Sequence, residues 1–180
     1  SLTPNAAPGC PTTLTVWNSA GSCGTTVSVP ITLDEGDGML AFQFDLYFDP
    51  TYITGVSAAP AGIASGFTVM SNVYADHISV AAASGTALGA GGGTIATVDL
   101  LISFATPDGT VTNLDLQNSL VNDVAMTEVD GTLTVSCLPP ILAYNDAALR
   151  DVCIFGGIGN NDGVADPGEY LYLTVTLINN

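Results

Sequence analysis

The sequence predicts an all-β sandwich, and three observations predict it. Short runs rich in Val, Ile, Thr and Phe recur along the chain. They are separated by Gly, Pro, Asn and Asp, the residues that tight turns demand. Several runs alternate apolar and polar residues, and none carries the apolar period of an amphipathic helix.

Taken in order, strands are expected at 12–17 and 25–33. The run 39–48 has the clearest pattern, with Phe42, Phe44, Leu46 and Phe48 on one face and Gln43, Asp45 and Tyr47 on the other. Asp49-Pro50 then starts a turn. Further strands are expected at 52–57, 66–71, 77–83, 94–104, 111–116 and 132–137. The pairs Asp37-Gly38, Asp108-Gly109 and Asp130-Gly131 suit turns that need positive φ. The glycine-rich run 85–93 lacks the Lys-Ser/Thr end of a phosphate-binding loop and opens no helix, so it is read as a flexible connection.

Residues 1–137 have the size of one domain. Leu138-Pro139-Pro140 reads as a stiff linker, and 138–180 as an extension too short to bury a core of its own. Its last strand alternates, with Leu171, Leu173, Val175 and Leu177 on one face and Tyr170, Tyr172, Thr174 and Thr176 on the other. No second strand is obvious in the extension. This strand is therefore expected to pair with a neighbouring subunit or a further domain.

Composition excludes several functions. Among 180 residues there are 17 Asp+Glu and one basic residue, Arg150, for a formal net charge of -16. Such a chain cannot neutralise phosphates, so nucleic acid and anionic lipid headgroups are not expected partners. Apolar and β-branched residues are too plentiful for disorder. No run of about 18 apolar residues exists to insert in a membrane. A surface with one site for trypsin-like proteases suits an exposed, long-lived extracellular protein. The start at Ser1 is read as a mature end after signal cleavage or as a fragment end.

Cys10, Cys23, Cys137 and Cys153 form no C-x-x-C pair, and His77 is the one histidine, so no zinc pattern is present. The even count reads as two disulfides made in an oxidising compartment. Local closure favours Cys10–Cys23 with Cys137–Cys153. The rival Cys23–Cys137 would tie the first strand to the last strand of the main domain.

The stretches Gly24-Thr-Thr-Val-Ser-Val-Pro-Ile, Leu40-Ala-Phe-Gln-Phe-Asp-Leu-Tyr-Phe-Asp-Pro, Gly93-Thr-Ile-Ala-Thr-Val-Asp-Leu-Leu-Ile-Ser-Phe and Asp130-Gly-Thr-Leu-Thr-Val come in a familiar order. Over residues 13–135 the chain resembles a cohesin-type domain, the nine-stranded jelly-roll module of cellulosome scaffolds and other surface proteins. The resemblance implies a jelly-roll β-sandwich and a non-catalytic module that engages a dockerin on one sheet face. No dockerin-contacting position carries over, because that face varies among cohesins. The turn Asn160-Asn-Asp-Gly-Val-Ala-Asp-Pro-Gly-Glu169 and the strand after it resemble the opening of an immunoglobulin-like surface repeat.

That acidic turn is the first cation candidate. Asn160, Asp162, Asp166 and Glu169 follow the spacing of a calcium loop, with Ile158 in place of its first Asp. Asp34, Glu35 and Asp37 form a second cluster in a loop between strands. Ca2+ is the expected ion, balanced against a merely solvated turn. Catalysis has little support, since His77 is the only imidazole, no G-x-S-x-G occurs, and Glu35, Glu128 and Glu169 stand in no paired context. Trp17 is read as a core or edge plug rather than a sugar platform. No Asn-x-Ser/Thr sequon is present.

The expected function is a non-catalytic extracellular structural subunit of a filament, sheath or surface layer, assembled head to tail with copies of itself by strand addition. The alternatives are a cohesin module engaging a dockerin or another surface protein, and a carbohydrate-binding module.

Overall fold

Alternation along each strand sends one set of side chains inward, and two sheets stack to bury those sets. The computed structural model describes residues 13–137, 142–151 and 171–179. The first unit holds β1 (Thr13–Val16), β2 (Ser19–Ser22), β3 (Thr26–Leu33), β4 (Ala41–Tyr47), β5 (Ile53–Pro60), a 3-10 turn (Gly62–Ala64), β6 (Thr68–Val73), β7 (His77–Ala83), β8 (Gly93–Ile102), β9 (Val111–Val121), β10 (Val124–Ala125), β11 (Thr127–Val129) and β12 (Gly131–Ser136). One sheet runs β11-β1-β3-β8-β5, and the other runs β2-β12-β9-β4-β7-β6, with β10 on β9. This is the expected jelly-roll β-sandwich.

Phe42, Phe44, Leu46 and Phe48 all point into the core, as their alternation requires. They meet Val29, Ile31, Val98 and Leu100 from the facing sheet in one continuous cluster. Phe42 stacks on Phe44 and on Phe67, at 6.2 and 5.9 Å between ring centroids. Each buried Phe, Leu or Ile contributes about 1.5–3 kcal/mol of transfer free energy.

Two short edge strands, β2 and β11, were not legible in the sequence. Ser-Ala-Gly-Ser and Thr-Glu-Val carry no apolar signature, and tertiary pairing makes them strands. β2 lies parallel to β12, and β11 lies parallel to β1. Among its changes of sheet, the chain crosses between β1 and β2 and again between β11 and β12. Asn18 holds the first crossing, accepting from the Thr132 backbone N–H at 2.9 Å. Asp130 holds the second, accepting from the Leu116 N–H at 3.0 Å. Gly38 and Gly109 have the positive φ expected of Asp-Gly turns, at 73° and 76°. Gly131 does not belong with them. It opens β12, where a Cβ would lie 2.8 Å from the Val16 carbonyl oxygen, so close backbone approach explains the glycine.

The disulfide is Cys23–Cys137, which corrects the expectation of two local bridges. Ser22 and Ser136 are the last pair of the β2–β12 ladder, and the cysteines follow directly, with Cα atoms 5.1 Å apart. The pairing of β2 was the missing information. Cys10 and Cys153 lie outside the described residues. Trp17 is a further correction in part. It is 57% exposed and its indole N–H donates to Thr32 Oγ1 at 3.1 Å, so it is an edge residue with no place in the core.

Residues 138–180 form a second compact unit. There β13 (Leu142–Asp151) pairs antiparallel with β14 (Leu171–Asn179), Leu142 opposite Asn179 and Asp151 opposite Leu171. This corrects the reading of an extension without a second strand. Residues 142–151 were missed because Asn145 and Asp146 interrupt the apolar pattern, and the register shifts there, between Tyr144 and Asp146. Leu171, Leu173, Val175 and Leu177 all lie in β14, and Thr174 to Thr176 are exposed. Tyr170 and the calcium-loop candidates Asn160, Asp162, Asp166 and Glu169 lie outside the described residues.

Candidate functional site

The two outer faces of the sandwich differ in chemistry. On the five-stranded sheet the outward residues are largely Ser and Thr, and the Asp99 carboxylate is occupied by the hydroxyls of Ser28 and Ser57. The outward face of β9-β4-β7-β6 carries aromatic, amide and apolar groups instead, and the strand register sets them in rows.

At one end Asp115, Tyr47 and His77 are directly opposite one another. Tyr74 extends this row, its N–H donating to the His77 carbonyl at 2.9 Å. The imidazole lies between two rings, 4.6 Å from Tyr47 and 4.3 Å from Tyr74. His77 Nδ1 and Asp76 Oδ1 lie 2.8 Å apart, and this hydrogen bond holds the Asp76 carboxyl below the usual carboxylate range. The next row is Gln117, Asp45, Ser79 and Asn72, and the third is Leu120, Gln43, Ala81 and Met70. Met70 is 74% exposed. Between these rows lies a shallow depression of about 240 Å3, lined by Gln43, Asp45, Met70, Asn72, Ser79 and Asn118.

Asn118 shapes this surface. The register slips between Gln43 and Asp45, because β9 carries one residue more than β4 there. Asn118 takes up the bulge with φ 55°, a left-handed conformation that Asn tolerates better than most residues. Its amide donates to Asp45 Oδ2 at 2.8 Å and so fixes that carboxylate in the middle of the face. The sequence places Asp45 on the polar face of its strand but does not by itself give the role of Asn118. The asparagines at 118 and 122 inside a β-rich run were the available signal.

The Asp34-Glu35-Asp37 loop is organised differently from a cation site. Glu35 accepts hydrogen bonds from the backbone N–H groups of Gly36, Asp37 and Gly91. Those bonds lower its pKa, chiefly the one from Gly91, against a smaller opposing effect of burial. Asp34 Oδ1 accepts from the Thr13 N–H at 3.1 Å. Among the described residues no three acidic, His or Cys side chains come together as a metal site would require. The two tyrosine rings stack on His77, and its Nδ1 is engaged with Asp76. No helix in the described part is long and apolar enough to cross a membrane.

The main unit is a disulfide-closed jelly roll with an open, chemically varied sheet face. The cohesin-domain family model matches residues 12–136, and the chain belongs to the cohesin family. Solved structures agree on the fold. A non-cellulosomal cohesin from the archaeon Archaeoglobus fulgidus superposes with a TM-score of 0.59 at 16% identity, covering 68% of this chain and 89% of that one. The third cohesin of ScaC from Acetivibrio cellulolyticus, solved in complex with the ScaB dockerin, gives 0.59 at 22% identity, covering 69% and 98%. The sixth cohesin of scaffoldin B from the same organism, in complex with the Cel5 dockerin, gives 0.60 at 16% identity, covering 69% and 98%. A search of curated proteins finds no match to the sequence.

Proposed function

We propose that this chain is a non-catalytic, extracellular binding module that captures a dockerin-type partner on the outer face of β9-β4-β7-β6. The observation that carries the reading is the face itself: Met70 stands out beside a depression with fixed polar groups, the arrangement of an exposed anchor within a polar rim. Two of the similar cohesins are known in dockerin complexes, which supports the same partner class here. The Cys23–Cys137 bridge supports an oxidising compartment. The polymer reading rested on a C-terminal strand without a partner in its own chain. With β13 beside β14 that support is gone, and the binding module becomes the main reading.

The test is capture of a panel of dockerin domains by the intact chain, with Met70→Asp and Asn118→Ala as variants. At least one dockerin should bind, and Met70→Asp should weaken it by about tenfold or more. Capture of none, or capture indifferent to both substitutions, removes the reading.

A further inference from the structure

A second concavity opens at the end of the same sandwich, where β4 runs into the Asp49-Pro50 turn and β9 begins. It is a cleft of about 460 Å3, lined by Tyr47, Asp49, Tyr52, Asn113 and Asp115 together with Val111 and Thr112. That volume falls in the range of about 300–1,000 Å3 that small-ligand sites occupy. We propose that this cleft binds a neutral saccharide chain, a ligand distinct from the protein partner of the sheet face.

The lining chemistry selects the ligand. One face of Tyr47 is covered by His77, so the ring turns its other face or its edge toward the cleft. Tyr52 rests partly on the hydrophobic core, which leaves it little freedom to collapse into the opening. Two tyrosines held in this way present apolar ring surface beside a hydroxyl, which matches a pyranose with its C–H face and its ring of O–H groups. The polar groups are fixed acceptors. Asp49 Oδ1 is bound to the Thr51 N–H at 2.8 Å, and Asp115 Oδ2 to the Gln117 amide at 2.6 Å. Each carboxylate keeps a second oxygen for a ligand, and Asn113 brings both a donor and an acceptor. Sugar hydroxyls can use all three. Two carboxylates with no cation in the lining repel uronates, sulfates and phosphates, so the ligand is uncharged.

The experiment is a nuclear magnetic resonance titration of the whole 180-residue chain, with cellohexaose, xylohexaose, mannohexaose, hexagalacturonate and an arginine-rich peptide as separate probes. At least one neutral hexasaccharide should move the amide signals of Tyr47, Asp49, Tyr52, Asn113 and Asp115, with a Kd of about 0.1–5 mM, as a shallow open site allows. Asn113→Ala and Tyr47→Ala should each weaken it about tenfold, while Met70→Asp leaves it unchanged. Asn113 is exposed, so its variant keeps the fold and a loss there reports on the cleft. Three results overturn the proposal. One is no shift from any neutral sugar at about 10 mM. Another is hexagalacturonate binding as well as the neutral chains. The third is the arginine-rich peptide alone moving the cleft signals, which assigns the cleft to a protein partner.

Discussion

At Glu35 one side chain does what a longer loop would need several contacts to do. Its carboxylate accepts from Gly36, Asp37 and Gly91, and so ties the β3–β4 loop to the glycine-rich loop before β8. Because the folded pKa is lowered, the stabilisation is fully present above the ordinary value of 4.5 and is lost as pH falls through the lowered folded value. Glu35→Gln should therefore lower the thermal midpoint near neutral pH and narrow its gap from the parent chain as the solution is acidified below 4.5, measured by circular dichroism melts across pH. Asn122 is a second single-residue device. It sits at φ 48°, its Oδ1 accepts from the Leu40 and Ala41 N–H groups, and its Nδ2 donates to the Gly38 carbonyl. Asn122→Ala should cost about 2–4 kcal/mol in urea unfolding, with Asn122→Gly about 1 kcal/mol milder because glycine tolerates the positive φ. Neither role could be read in the sequence, since each depends on backbone groups distant along the chain.

Strand elements divide into those that specify themselves and those that neighbours specify. Alternation placed β4, β7 and β8 correctly, because one face of each is buried and a one-residue slip would expose it. β9 runs on to Val121, past the expected end at residue 116, because Asn118 bends the strand without ending it. β2 and β11 carry no such pattern and exist through pairing, which is why the cysteine partner was misjudged. The Cys23–Cys137 bridge spans 114 residues, a separation for which chain entropy gives about 4–5 kcal/mol. Replacing both cysteines by alanine should cost about 2–4 kcal/mol in denaturant unfolding, with an unchanged circular dichroism spectrum at low temperature. In the second unit Arg150 lies in β13 opposite Tyr172. Trypsin should cut the native chain there slowly, at a rate set by opening of the β13–β14 pair, and at once after unfolding, as mass spectrometry of timed digests will show.

Over the whole molecule, a charge of -16 with one arginine leaves almost no ion pairs within the chain. Among the described residues the one contact between a basic side chain and a carboxylate is the His77–Asp76 hydrogen bond. Cohesion rests on apolar burial and on side chain to backbone hydrogen bonds, and the net charge is strongly negative. On the proposed reading, a protein partner that brings positive charge is drawn in electrostatically. Association with a captured dockerin should slow by about tenfold or more between low salt and about 0.5 M NaCl, with dissociation changing much less, as surface plasmon resonance can resolve.

By itself the sequence determined the sandwich, the inward set of β4 and the family resemblance. Each of these follows from residue type and local period, which short-range physics dictates. Tertiary structure alone decided which cysteines meet, that the last strand has a partner in β13, that Glu35 serves backbone donors, and that Tyr47, His77 and Tyr74 stack on one face beside a polar cleft. These depend on pairing between segments far apart in sequence, and no local pattern encodes which strands become neighbours.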